Sequence, residues 1–106
     1  MKAMWVYMTV GSMEEAERIG RQLVEERLAA CVNLMGGMRS IYAWEGEIRR
    51  DDEAVMIAKT TPERFPELEA AVKTMHGYDD PCIIGLPIEA GSAEYLSWIE
   101  RQTAGE

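Results

Sequence analysis

Met4, Val6, Met8 and Val10 alternate with Trp5, Tyr7 and Thr9, the period of two that sends successive side chains to opposite faces of a strand. The pattern predicts a first strand over residues 3–10 with two differently used faces. After Gly11 the period changes. Ser12 offers an N-cap, Glu15 completes a capping box, and Ala16, Ile19, Gly20, Leu23, Val24 and Leu28 recur at helical spacing, so a helix is expected over 13–28. From Cys31 to Trp44 the chain is strand-like again, interrupted by Gly36-Gly37, the mark of a bulge or bend in a long strand. Glu45-Gly46 turns it back. Residues 47–60 read as a third strand, charged at first and then densely apolar through Ala54-Val55-Met56-Ile57-Ala58, so the two form a long hairpin.

Thr61-Pro62 predicts the start of a second helix, with Thr as cap and Pro in the first helical position, and Phe65, Leu68, Val72 and Met75 make one apolar stripe that Gly77 stops. Ile83 to Ile88 reads as a fourth strand. Its Pro87 has no N–H to donate, which places the strand on an edge. A short last helix begins at Ser92. The order β-α-β-β-α-β plus a terminal helix is an α+β chain of the split, ferredoxin-like kind, in one domain over 1–106. Strands two and three are longer than so small a sheet needs, and long unpaired edges favour self-association.

Composition narrows the function classes. The chain is 47% apolar and 28% charged, as expected of a globular protein and not of a disordered tail. A formal charge of -8, with 11 basic residues scattered along the chain, repels phosphate backbones and argues against nucleic-acid binding. The apolar opening alternates like a strand and lacks a cleavage site, and no apolar run approaches the roughly 20 residues of a membrane span. A cytoplasmic protein without a membrane partner is expected. Cys31 and Cys82 form no C-x-x-C pair and read as two buried thiols.

His76 is the single histidine, and no nucleophile elbow or phosphate-cradling glycine motif accompanies it, so an enzyme is not expected. Asp51-Asp52-Glu53 and Glu14-Glu15 read as solvated surface and not as a metal site. Lys59 is the one basic residue in an apolar strand and needs a partner, either a structural ion pair at a subunit contact or an anion in a cleft between subunits. Tyr42, Trp44, Tyr78 and Trp98 line such a cleft or pack a core or interface.

Several stretches, in order and at matching spacing, resemble the CutA divalent-cation tolerance family over nearly the whole chain. They are Leu28-Ala29-Ala30-Cys31-Val32-Asn33, Ser40 to Ile48, Lys59-Thr60-Thr61, His76-x-Tyr78-x-x-Pro81, Leu86-Pro87-Ile88 and Tyr95 to Ile99. The resemblance implies a homotrimer whose long strands pair across subunits and which binds copper and other divalent metal ions, with no organic cofactor. Cys31, Trp44, Lys59 and Tyr42 are then candidates for an intersubunit cleft.

The chain also departs from the family pattern. Cys82 stands where a Glu usually follows Pro81, Gly77 where many members have Pro, Met8 where some have Cys, and Met75-His76 where some have a His pair. These changes favour softer ligands. In a ferredoxin-like sheet the end of strand one, the end of helix two and the start of strand four lie together, which gathers Met8, Met75, His76 and Cys82 as a candidate metal set suited to Cu(I). With strand order 4-1-3-2, Cys31 and Cys82 open opposite edges and are too far apart to bridge. Two other functions remain open: a trimeric small-molecule sensor like the PII signalling proteins, against which the tight Trp44-Glu45-Gly46-Glu47 turn counts, and a structural trimer serving as a platform.

Overall fold

The opening alternation forms β1 (Met4–Val10), and the helical period that follows forms α1 (Met13–Glu25), in a computed structural model that describes residues 2–104. The Ser12 hydroxyl accepts the Glu15 N–H at 3.1 Å, as a cap should. The other half of the expected capping box serves a tertiary contact: the Glu15 carboxylate accepts the Gly77 N–H at 2.9 Å. α1 also ends before the last apolar position of its period. Arg27 takes a left-handed backbone (φ 60°), and the Leu28 N–H closes on the Leu23 carbonyl at 2.9 Å. Leu28 still reaches the core from beyond the helix, which is why the apolar period overran it.

β2 (Cys31–Trp44) and β3 (Glu47–Thr60) pair from end to end. They are joined by Glu45 (φ 51°) and Gly46 (φ 80°), the double left-handed turn whose twist matches that of a hairpin. α2 (Phe65–Met75) starts later than Thr61-Pro62 suggests. The Arg64 N–H bonds the Thr61 carbonyl at 3.0 Å in a separate turn, and Pro66, not Pro62, occupies the first helical turn. Pro66 has no N–H, so the helical ladder first closes from Leu68 to the Arg64 carbonyl at 2.9 Å. β4 (Ile83–Pro87) and α3 (Ala93–Gln102, capped by Ser92) complete the chain.

The sheet order is β2-β3-β1-β4 with every neighbouring pair antiparallel, the ferredoxin-like arrangement. One face carries Val6, Met8, Met56 and Ala58 against Ile19 and Leu23 of α1 and Leu68 and Val72 of α2, all fully buried. Each large aliphatic side chain there contributes about 1.5–3 kcal/mol by leaving water. A smaller cluster of Ala3, Ala30 and Ile99 seats α3. Cys31 and Cys82 are free and lie at opposite edges of the sheet. The far half of the β2–β3 hairpin projects past the other strands, which gives principal extents of 45 × 26 × 22 Å. No helix among the described residues is long and apolar enough to cross a membrane.

Candidate functional site

The interruption at Gly36-Gly37 decides which side chains meet at the far end of the hairpin. Met35 pairs with Val55 and Met38 with Glu53, so two residues of β2 oppose Ala54 alone, a bulge that flips the side-chain alternation of everything beyond it. Gly37 takes φ 75°, the left-handed backbone such a bulge favours. β3 has no matching insertion. As a result Ser40, Tyr42 and Trp44 join Asn33 and Met35 on the face away from α1 and α2. Their partners across the ladder, Asp51, Arg49 and Glu47, share that face.

Ser40, Tyr42, Trp44, Arg49, Asp51 and Glu53, with Tyr7 and Thr9 of β1 and Tyr78, Asp79, Asp80 and Cys82 from the segment after α2, bound a cleft of about 580 Å3. Hydrogen bonds fix its walls. The Tyr78 hydroxyl donates to Glu53 at 2.7 Å, the Ser40 hydroxyl donates to the other Glu53 oxygen, and the Tyr42 hydroxyl donates to Asp51. Burial, followed by the Glu53 hydrogen bond and charge, holds the Tyr78 phenol protonated well above its usual range. The Asp51 hydrogen bond chiefly raises Tyr42, and burial, then Glu53, raises the Cys82 thiol. All three shifts have the sign of an electronegative cleft.

His76 stands behind this wall. Its Nε2 lies 2.7 Å from the Thr9 carbonyl, and its Nδ1 accepts the Tyr78 N–H at 3.0 Å. Nε2–H therefore donates, and the ring is a neutral imidazole whose only lone pair is already in use. Its role in the chain is to fix where the Tyr78 segment leaves α2.

The structure brings the expected metal set to one end of the sheet, but it does not aim the four side chains at one point. Met8 is fully buried under the helices and Met75 packs against the same core. Cys82 opens onto the cleft on the opposite face of the sheet. Among the described residues no three His, Cys, Asp or Glu side chains converge to hold a metal ion. A single chain thus offers Cys82 as the accessible soft donor of that set and no closed site.

The expected cleft set divides in the same way. Tyr42 and Trp44 line the cleft, whereas Cys31 and Lys59 pair with each other at the opposite end of the ladder. There the Lys59 ammonium lies 5.7 Å from the centre of the Tyr95 ring, and the Cys31 sulfur lies 3.8 Å from the Tyr95 hydroxyl. Among the described residues, the partner of Lys59 is a ring face rather than a carboxylate. Asp51 and Glu53, read from sequence as solvated charge, are wall residues of the cleft. Counting the alternation across Gly36-Gly37 with one extra residue would have put them beside Tyr42 and Trp44.

The family model described as CutA1 divalent ion tolerance protein matches residues 4–102. A divalent-cation tolerance protein CutA of Thermus thermophilus is 49% identical over 98 residues, which span 92% of this chain and 95% of that protein. Two solved structures superpose closely. A protein described as the periplasmic divalent cation tolerance protein CutA from Archaeoglobus fulgidus gives a TM-score of 0.93 at 46% identity, covering 95% of this chain and 98% of the other. CutA1 from Oryza sativa gives 0.95 at 39% identity, covering 97% and 94%.

Proposed function

Since the chain belongs to the CutA1 divalent ion tolerance family, we propose that it works as a homotrimer that binds copper or a related divalent metal ion. The observation that carries the assembly is the uncovered face of the sheet. Trp5, Ile84 and Leu86 lie 43%, 53% and 46% exposed on the side away from α1 and α2, and Ile41 and Ile48 of the hairpin are 73% and 77% exposed. Apolar surface of this extent on a small domain marks a contact with another chain, and the projecting hairpin supplies strands for it to pair with. The number three follows from the family resemblance.

For the metal, support comes from the Cys82 thiol at the edge of an electronegative cleft, since a thiolate suits Cu(I) and acidic surroundings attract cations. The site is closed by donors from a neighbouring subunit, because the described residues of one chain hold no converged set. The two-residue turn at Glu45-Gly46 leaves no long loop of the kind on which a PII-like sensor depends.

Light scattering at micromolar concentration tests the assembly, with three chains of 12.0 kDa expected per particle and a single chain overturning it. Native mass spectrometry of protein purified without added metal, followed by Cu(I) competition titrations, tests the cargo. Cys82→Ser is expected to weaken binding. Loss of the ion in Cys31→Ser, with Cys82→Ser and His76→Ala unchanged, would move the site to the other end of the sheet.

A further inference from the structure

We propose that His76 is an acid-released latch: as a neutral ring it holds the segment after α2 against the sheet, and on taking a proton it lets that segment go. This goes beyond metal binding and does not rest on it.

The segment has little else to hold it. From Gly77 to Asp80 no backbone group bonds another backbone group among the described residues. Its anchors are bonds to side chains: the Glu15 carboxylate accepts the Gly77 N–H at 2.9 Å, the His76 Nδ1 accepts the Tyr78 N–H at 3.0 Å, and the Tyr78 hydroxyl donates to Glu53 at 2.7 Å. A stretch with so few bonds belongs to the part of a fold that opens first. Of the three anchors, the imidazole bond is the one that a proton breaks near neutral pH.

The Nε2–H of His76 donates to the Thr9 carbonyl at 2.7 Å, so a proton taken from solvent adds to Nδ1. Nδ1 then becomes a donor facing the Tyr78 N–H, and one hydrogen bond is replaced by two opposed donors. The ring is buried, so the new charge is stabilised by turning out towards water or an anion. α1 supplies the Glu15 carboxylate and the Arg18 guanidinium, which donates to the Met75 carbonyl at 3.2 Å. β3 supplies Glu53 behind the Tyr78 hydroxyl, β1 presents the uncharged Thr9 carbonyl, and Lys73 of α2 is held by Glu69 at 3.2 Å. The segment itself adds Asp79, Asp80, Cys82 and Tyr78, whose ring centre lies 4.7 Å from the imidazole. Carboxylates thus outnumber cations around the released ring, and the C-terminal end of α2 also suits a positive charge. The released form carries one proton more than the latched form, so falling pH favours release.

Tyr78 and Cys82 look onto the face that the proposed assembly covers, so release acts on the subunit contact from behind and needs no open cleft. That consequence rests on the assembly reading, whereas the latch does not.

His76 is the single histidine, so its ring resonances report the proton directly. Nitrogen NMR of the ring and amide exchange, corrected for the intrinsic rate, are followed on the native protein from about pH 7.5 to 5. The expected result is a neutral ring with its proton on Nε2 at the upper end. Protection at the Gly77 and Tyr78 amides should fall roughly ten-fold as the ring takes its second proton, while Val6 and Ala58 in the sheet stay protected. His76→Phe should be open throughout, with no dependence on pH in this window, and Glu15→Gln should keep the dependence from a lower starting protection. The wild-type titration decides even if His76→Phe fails to fold. A ring that takes its proton while the segment stays protected would overturn the proposal, and so would a ring still neutral at about pH 5. The same pH course in His76→Phe, or its loss in Glu15→Gln, would overturn it too and give the switch to a carboxylate. Light scattering over the same range reads the subunit contact, which is expected to weaken toward the acid end in wild type and not in His76→Phe. A single chain at the upper end overturns the assembly reading and leaves the latch to be decided by exchange, whereas association that ignores pH while the segment opens overturns the coupling between them.

Discussion

The two halves of the β2–β3 ladder share one pair of strands and one pattern of backbone hydrogen bonds, yet they are held by different forces. In the near half, Val32 and Leu34 lie beside Ala58 and Met56 on a face roofed by α1, and β1 pairs with the other edge of β3. In the far half, residues from Met38 to Glu53 pair only with each other, and both faces meet water. An isolated two-stranded hairpin is marginal in water. The far half persists because it continues a ladder nucleated by the core and because Tyr78 ties it to the sheet through Glu53. Backbone pairing therefore sets the shape, while burial sets the stability.

The sharpest way to break this comparison is a pair of truncations read by chemical denaturation. Leu23→Ala, in the fully buried roof of the near half, is expected to lose about 3–4 kcal/mol through lost transfer energy and the cavity left behind. Ile48→Ala, 77% exposed on the far half, should change the stability of a dissociated chain by no more than about 0.5 kcal/mol. A large loss at Ile48 in dissociated protein would show that the hairpin carries folding energy of its own.

His76→Phe removes the donor to the Thr9 carbonyl and the acceptor for the Tyr78 N–H while keeping a ring of similar size. A loss of about 2 kcal/mol is expected from the two unpaired groups. Amide exchange should quicken first in the Tyr78 segment. Gly37→Val should cost about 1–2 kcal/mol, because an L side chain is strained in the left-handed region. Crowding is not the cause, since a Cβ at Gly37 meets nothing within 4 Å. Gly37→Asn should lose less than Gly37→Val, and equal losses would point away from backbone conformation.

The smallest expected effect is a pH dependence from two groups in the segment between α2 and β4, which ties the far half to the sheet through Glu53. The Cys82 thiol is raised above its usual range, first by burial and then by Glu53. The unfolded chain ionises first as pH rises, so the contribution of this thiol is complete below about pH 8.5 and is lost as pH climbs through the folded value. The raised Tyr78 phenol extends the same loss upward from about pH 10. Denaturation midpoints that drift down above pH 8.5, with the first part of the drift absent in Cys82→Ser, would bear this out. A midpoint that rises over this window would contradict the sign.

Much of the architecture was legible because short-range physics writes it. The alternation from Met4 to Val10, the helical period from Ala16, the caps at Ser12 and Ser92 and the Glu45-Gly46 turn depend on neighbours a few residues away. Where the reading slipped, a partner distant in sequence had intervened. Glu15 accepts the Gly77 N–H rather than completing its own capping box, and Arg64, at the cap of α2, donates to the Thr103 carbonyl. The candidate site shows the same division.

From the sequence alone came the strand order, the bulge at Gly36-Gly37 and the gathering of Met8, His76 and Cys82 at one end of the sheet, since topology and local turn chemistry are enough for these. Which way each side chain points there was decided by tertiary packing. Met8 belongs to the core because the helices cover its face, His76 is occupied by backbone groups from two other segments, and Asp51 and Glu53 turn toward Tyr42 and Tyr78 because one extra residue in β2 flips the pleat. Spacing along a chain fixes which face a residue can take, and only the fold determines what stands opposite that face.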